Sequence, residues 1–153
     1  MKKFTLLAAM LFSAASLIAL PAGAATTTGN FDVNITLTSA CQYTKTSDVF
    51  FTYTSFQTTA AAQTTAGGFT VRCTNTLPYT LALDAAGSYT DQATNLAYTL
   101  ALSAPGGTGN GAAQAYAVTG SIAANQGGTC TTAGGICVNT ASTNKQRTLT
   151  ITY

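Results

Sequence analysis

The sequence predicts an all-β sandwich of about seven short strands, and three observations carry that prediction. Apolar residues recur at every second position in several short runs, the period of a strand with one buried face. Threonine, branched at Cβ and suited to a pleated surface, fills 31 of the 153 positions. Turn residues punctuate the runs at short intervals, and beyond the leader no segment of more than a couple of turns spaces its apolar residues three and four apart.

The leader comes first. Lys2 and Lys3 precede an apolar run from Phe4 to Leu20, and Pro21 is followed by the small residues Ala22, Gly23 and Ala24. This reads as a secretory signal, residues 1–24, cleaved after Ala24; the run is short for an uncleaved membrane anchor. Residues 25–153 then suffice for one domain with a core of its own. In the stretch Phe31 to Cys41, Phe31, Val33, Ile35 and Leu37 alternate with Asp32, Asn34, Thr36 and Thr38, which predicts the first strand, ending at Cys41. Thr26, Thr27, Thr28 and Gly29 precede it as a loose tether, so the strand is free to pair within its own domain or with another molecule.

Asp48–Phe56 predicts an aromatic strand, and Gln57–Gly68 a loop that ends on Gly67 and Gly68. The aromatic set Phe50, Phe51, Tyr53 and Phe56 is expected in a core, with a carbohydrate-binding face as the alternative. Phe69–Asn75 is the next strand, with Phe69, Val71 and Cys73 on one face, and Tyr79–Leu83 follows the break at Leu77-Pro78. Asp84–Thr94 reads as a turn region. Asn95–Ser103 puts Leu96, Tyr98, Leu100 and Leu102 in one row, and Pro105, Gly106, Gly107, Gly109 and Gly111 interrupt the chain after it. Gln114–Ala123 resumes through Tyr116, Val118 and Ile122, with Gly120 a candidate bulge. Asn125–Asn144 is a loop rich in Gly, Thr and Ala, and Arg147–Tyr153 closes the set with Leu149, Ile151 and Tyr153 on a shared face.

Charge and residue choice exclude several function classes. The formal net charge is +2, but Lys2 and Lys3 belong to the leader; beyond it Lys45, Arg72, Lys145 and Arg147 balance Asp32, Asp48, Asp84 and Asp91. A neutral, sparsely charged chain offers no footprint for nucleic acid and suits a surface covered in an assembly. With no His and no Glu, general acid-base catalysis and a Ser or Thr nucleophile both lack their base, so no enzyme and no cofactor is expected. The Gly106-Gly107-Thr108-Gly109 run has no lysine and no strand-helix frame to make a phosphate loop.

Four cysteines in an exported chain read as two disulfides. Of three pairings, Cys41 with Cys73 and Cys130 with Cys137 is favoured, because the other two would tie both early strands to the Gly-rich loop. A metal or redox site is excluded by the absence of His and of any Cys-x-x-Cys.

The stretches GNFDVNITLTSAC (29–41), FFTYTSF (50–56), FTVRCTNTLPYTLALD (69–84), AYAVTGSIAANQ (115–126) and RTLTITY (147–153) together resemble the spore coat protein U family, which includes subunits of archaic, Csu-type chaperone-usher pili. The resemblance implies an incomplete immunoglobulin-like β-sandwich of six to seven strands, completed by donor-strand exchange. It implies that residues 25–37 are the donor, inserting Phe31, Val33, Ile35 and Leu37 into the next subunit, and that Leu149, Ile151 and Tyr153 border the acceptor groove and contact a periplasmic chaperone. Other copies of the chain or related pilins and an outer-membrane usher are the further partners implied, and the cell surface, reached through the periplasm, is the implied location. A free-standing secreted coat or ligand-binding domain is the alternative.

Overall fold

The computed structural model describes residues 23–153. The predicted signal sequence lies, but for Gly23 and Ala24, outside the described residues. The chain divides into two units, Met1–Thr36 and Leu37–Tyr153. Residues 23–36, the described part of the first, hold no helix or strand and are exposed throughout.

The second unit is built from nine strands: β1 (Cys41–Ser47), β2 (Ala61–Ala62), β3 (Gly67–Cys73), β4 (Pro78–Leu83), β5 (Ser88–Asp91), β6 (Leu96–Leu102), β7 (Gly106–Thr108), β8 (Gln114–Ile122) and β9 (Leu149–Thr152). A 3-10 turn spans Asp84–Gly87, and a single helical turn, α1, spans Ser142–Lys145. All pairings are antiparallel and form two sheets. The larger has the order β1-β3-β8-β6-β5, with β2 continuing beside β3 along the same edge of β8; the smaller has the order β7-β4-β9.

Alternation explains which side chains make the core. Phe69, Val71 and Cys73 project from one face of β3 and meet Tyr79 and Leu81 from β4, so the buried cluster joins the two sheets. Leu102, Tyr116, Val118, Leu149 and Ile151 pack around it, half-buried. Tyr79 carries its polar tip into this interior by bonding Gln114 Oε1 at 2.9 Å and the Tyr116 hydroxyl at 2.6 Å. Burial, helped by the Tyr116 hydroxyl, pushes the Tyr79 phenol up to about 12.

The structure departs from the sequence expectations at specific places. The strand expected from Phe31 is not formed within the chain; Cys41 begins β1 instead of ending a strand, and Phe31 to Leu37 remain exposed. Asp48–Phe56 contributes one bridge, Phe50 to Thr65, although Phe51 and Tyr53 are half-buried and Phe51 packs 5.9 Å from Tyr98. Phe50 and Phe56 are exposed, so only part of that aromatic set serves the interior. The segments read as loop, turn and Gly-rich break contain β2, β5 and β7. Gly120 is not a bulge: Leu100 pairs with it in unbroken register, and a Cβ there would stand 2.7 Å from Leu100 Cδ2 and 2.8 Å from Phe51 Cζ. Glycine is required for that close approach.

Both favoured disulfides are present. Cys41 and Cys73 are directly opposed in the β1-β3 register with Cα atoms 4.1 Å apart, and Cys130–Cys137 staples the long loop with Cα atoms 5.5 Å apart. That loop has a second anchor. The buried Asp91 accepts bonds from the Ala93 and Thr94 amides and the Thr94 hydroxyl on Oδ1, and from Asn139 Nδ2 at 2.8 Å on Oδ2.

Burial alone would raise the Asp91 pKa, but these hydrogen bonds outweigh it and hold the carboxyl below its ordinary value. Its contribution to stability is therefore complete above the unfolded-state value of about 3.9 and is lost as pH falls through the folded-state value. Asp91→Ala is expected to cost about 2–3 kcal/mol at neutral pH in urea denaturation, with the deficit against the parent shrinking below about pH 4. A deficit that is constant with pH would mean that the charge is not what holds the loop.

Candidate functional site: an open strand edge

The last strand is short and alternating: Leu149 and Ile151 turn inward while Thr150 and Thr152 face out. It pairs with β4 through Leu83 to Leu149, Ala82 to Thr150, Leu81 to Ile151 and Thr80 to Thr152. Its other edge pairs with no strand among the described residues. Such an edge presents a row of unpaired N–H and C=O groups and invites another strand. Leu149 and Ile151 pack on the core cluster but stay half-buried, and Tyr153, just past the strand, is exposed.

A second open surface belongs to β1. Cross-strand partners in an antiparallel pair share a face, so Cys41, Tyr43 and Lys45, opposite Cys73, Val71 and Phe69, lie on the core side of the larger sheet. Val71 is 0% exposed, yet its partner Tyr43 is 51% exposed, with its ring 5.7 Å from that of Phe69. Lys45 is likewise exposed and forms an ion pair with Asp48 at 2.9 Å, a contact that contributes little in solvent. The core side of β1 is thus uncovered although it continues a face that is otherwise buried.

In the N-terminal stretch, Phe31, Val33, Ile35 and Leu37 are between 70% and 84% exposed. Their alternation is that of a strand, but no strand forms there. Four apolar side chains at a period of two stand without a sheet, while the sandwich carries an open edge and an uncovered inner face. Within the second unit, Ala40 exchanges bonds with Thr74, through Thr74 N to Ala40 O and Ala40 N to Thr74 Oγ1, both at 3.0 Å, and the Cys41–Cys73 bridge follows at once.

Sequence reasoning did not find β1 as a wall of the site. CQYTKTS has too few apolar residues for its period to stand out; the signal available was its adjacency to Cys41. It also passed over Arg147, which donates to the Tyr98 hydroxyl. Among the described residues no group of three or more His, Cys, Asp or Glu side chains is gathered, and what the site offers is backbone pairing and apolar contact. Two formed disulfides mark an extracytoplasmic protein.

No curated protein and no solved structure matches the chain. The family model for the Spore Coat Protein U domain matches residues 27–147, which takes in the alternating N-terminal stretch and every strand except β9. The chain belongs to the Spore Coat Protein U domain family, a structural and adhesive family that includes Csu-type pilus subunits.

Proposed function

We propose that the protein is a structural subunit of an archaic chaperone-usher pilus and polymerises by lending residues 25–37 to the sandwich of the next copy. The observation that carries this reading is the mismatch within one chain: Phe31, Val33, Ile35 and Leu37 alternate like a strand yet are exposed, while β9 has a free edge beside half-buried Leu149 and Ile151. A donated strand would close the edge with backbone bonds and sink alternate side chains onto the apolar face. Before assembly, the same edge and Tyr153 would be held by a periplasmic chaperone, and an outer-membrane usher would exchange that chaperone for the next subunit. Adhesion to surfaces or biofilm formation is the role such a fibre serves.

The test is the double substitution Val33→Asp with Ile35→Asp. Each residue is exposed in the isolated chain, so the domain is expected to fold and be captured by its chaperone as before, while polymers fall below detection by gel filtration and electron microscopy. Burying two unpaired carboxylates is costly enough to prevent insertion. Polymers formed at the parental level would refute strand donation and favour a free-standing secreted coat or ligand-binding domain.

A further inference from the structure

Arg147 precedes β9 and lies against two tyrosines. Its guanidinium carbon is 4.7 Å from the centre of the Tyr89 ring and 5.6 Å from that of Tyr98. These rings are cross-strand partners on β5 and β6, stacked at 5.2 Å. Arg147 Nε donates to the Tyr98 hydroxyl at 2.7 Å, and its terminal nitrogens donate to the Gln146 and Asn144 carbonyls at 2.8 and 2.9 Å.

A guanidinium has five N–H groups, so two remain without a partner among the described residues. No carboxylate neutralises Arg147 at ion-pair distance either; the ion pair among the described residues is Lys45–Asp48. The Asp84 carboxylate instead accepts the Tyr89 hydroxyl at 2.7 Å.

Arg147 opens on a cavity of about 270 Å³ whose other polar walls are Ser88, Thr90, Gln92, Thr143 and Asn144. It is the one charged residue among the cavity's walls. A neighbouring depression of about 420 Å³ shares Ser88, Tyr89 and Thr90 and adds the hydroxyls of Thr99 and Ser121, which are 3.2 Å apart. The second opens on the opposite face of the β5-β6 pair, because Ser88 and Thr90 share a face with Thr99 and Ala97 and turn away from Tyr89 and Tyr98; Arg147 is a cation among the hydroxyl and amide groups of the first. A planar carboxylate can take two guanidinium N–H bonds at once, and a body rich in hydroxyls matches Ser, Thr, Asn and Gln walls. The volume of the first is near the small end of ligand-site sizes, enough for one residue of a longer chain.

We propose that this cavity is a binding subsite for a uronic-acid residue of an acidic polysaccharide, with Arg147 holding the carboxylate and Gln92, Thr143 and Asn144 meeting the hydroxyls. The subsite is independent of strand donation, because all its residues belong to the folded unit.

The test is equilibrium dialysis of the exported chain, monomeric or polymeric, against trigalacturonate and the neutral trisaccharide maltotriose. Trigalacturonate is expected to be retained more strongly, with retention falling as salt rises. Arg147→Gln is expected to weaken it about tenfold or more. Because that change also removes the bond to Tyr98, Thr143→Glu serves as a second variant: it places a carboxylate, like in charge to the ligand's, at an exposed position on the cavity wall, leaves Arg147 in place, and is expected to abolish retention. Arg72→Gln, remote in sequence and outside both depressions, is expected to change nothing. Equal retention of the two sugars, no retention of either, insensitivity to Arg147→Gln and Thr143→Glu, or an equal loss in Arg72→Gln would each overturn the assignment.

Discussion

A rearranged chain in which Gly29–Leu37 follows Tyr153 through a short flexible linker is expected to be a monomer that melts well above the unrearranged protein. In the native order these residues are exposed and form no strand. Placed after β9 they can fold back along its free edge and offer Phe31, Val33, Ile35 and Leu37 to the apolar face, each worth about 1.5–3 kcal/mol when fully buried. Part of that gain is offset by the entropy of ordering the segment. A net gain of about 3 kcal/mol would raise Tm by roughly 10 °C in a domain of this size. Gel filtration and calorimetry on the two chains decide the matter. A monomeric parent that is destabilised by the rearrangement would mean that the segment belongs to its own sandwich, and the pilus reading would fail with it.

The strands legible in the sequence are those whose inner residues meet a partner sheet: Phe69, Val71 and Cys73 on β3, Tyr79 and Leu81 on β4, the Leu96 to Leu102 row on β6, Tyr116, Val118 and Ile122 on β8, and Leu149 and Ile151 on β9. There, alternation in sequence is the record of one dry face. The misread elements lack that cause. In β7, Gly106 and Gly107 carry no side chain, and a Cβ at Gly106 would run into the Tyr79 carbonyl oxygen, so close approach selects against any apolar signal. On β1 the core side is uncovered and is occupied by Tyr43 and Lys45.

The N-terminal stretch shows the opposite limit. Alternation at Phe31, Val33, Ile35 and Leu37 reports that one face of a strand is meant to be buried, but it carries no information about which chain supplies the sheet. The open edge of β9 was not legible in the residues themselves, where only the family resemblance pointed to a groove, for a related reason: a missing neighbour leaves no residue to read. Arg147 was passed over because its partners, Tyr89 and Tyr98, come from strands far away in sequence and only the β5-β6 register brings them together.

Replacing Cys41 and Cys73 together with Ala is expected to lower Tm by roughly 10–15 °C, since closing a loop between residues 32 apart contributes about 3–4 kcal/mol. Loss of Cys130–Cys137, separated by 7, is expected to cost about 2 kcal/mol and to loosen only its own loop. The first bridge has a further consequence if residues 25–37 are held by a neighbouring subunit. Tension along a fibre then enters each domain through Ala40 and Cys41. With the bridge intact it passes at once to Cys73 on β3, a strand supported on both sides by β1 and β8. Without it the pull falls on the end of β1, an edge strand with a single partner, whose pairs from Gln42–Arg72 to Lys45–Phe69 can open one at a time. Releasing the chain between the two cysteines would lengthen each subunit by up to roughly 110 Å, at 3.3–3.6 Å per residue. Optical-tweezer extension of fibres carrying Cys41→Ala and Cys73→Ala should show that added length at forces where parental fibres do not. Fibres of both kinds extending equally would show that the load bypasses this bridge, whereas failure of the variant to form fibres, with its folded monomer intact, would place the bridge in assembly instead.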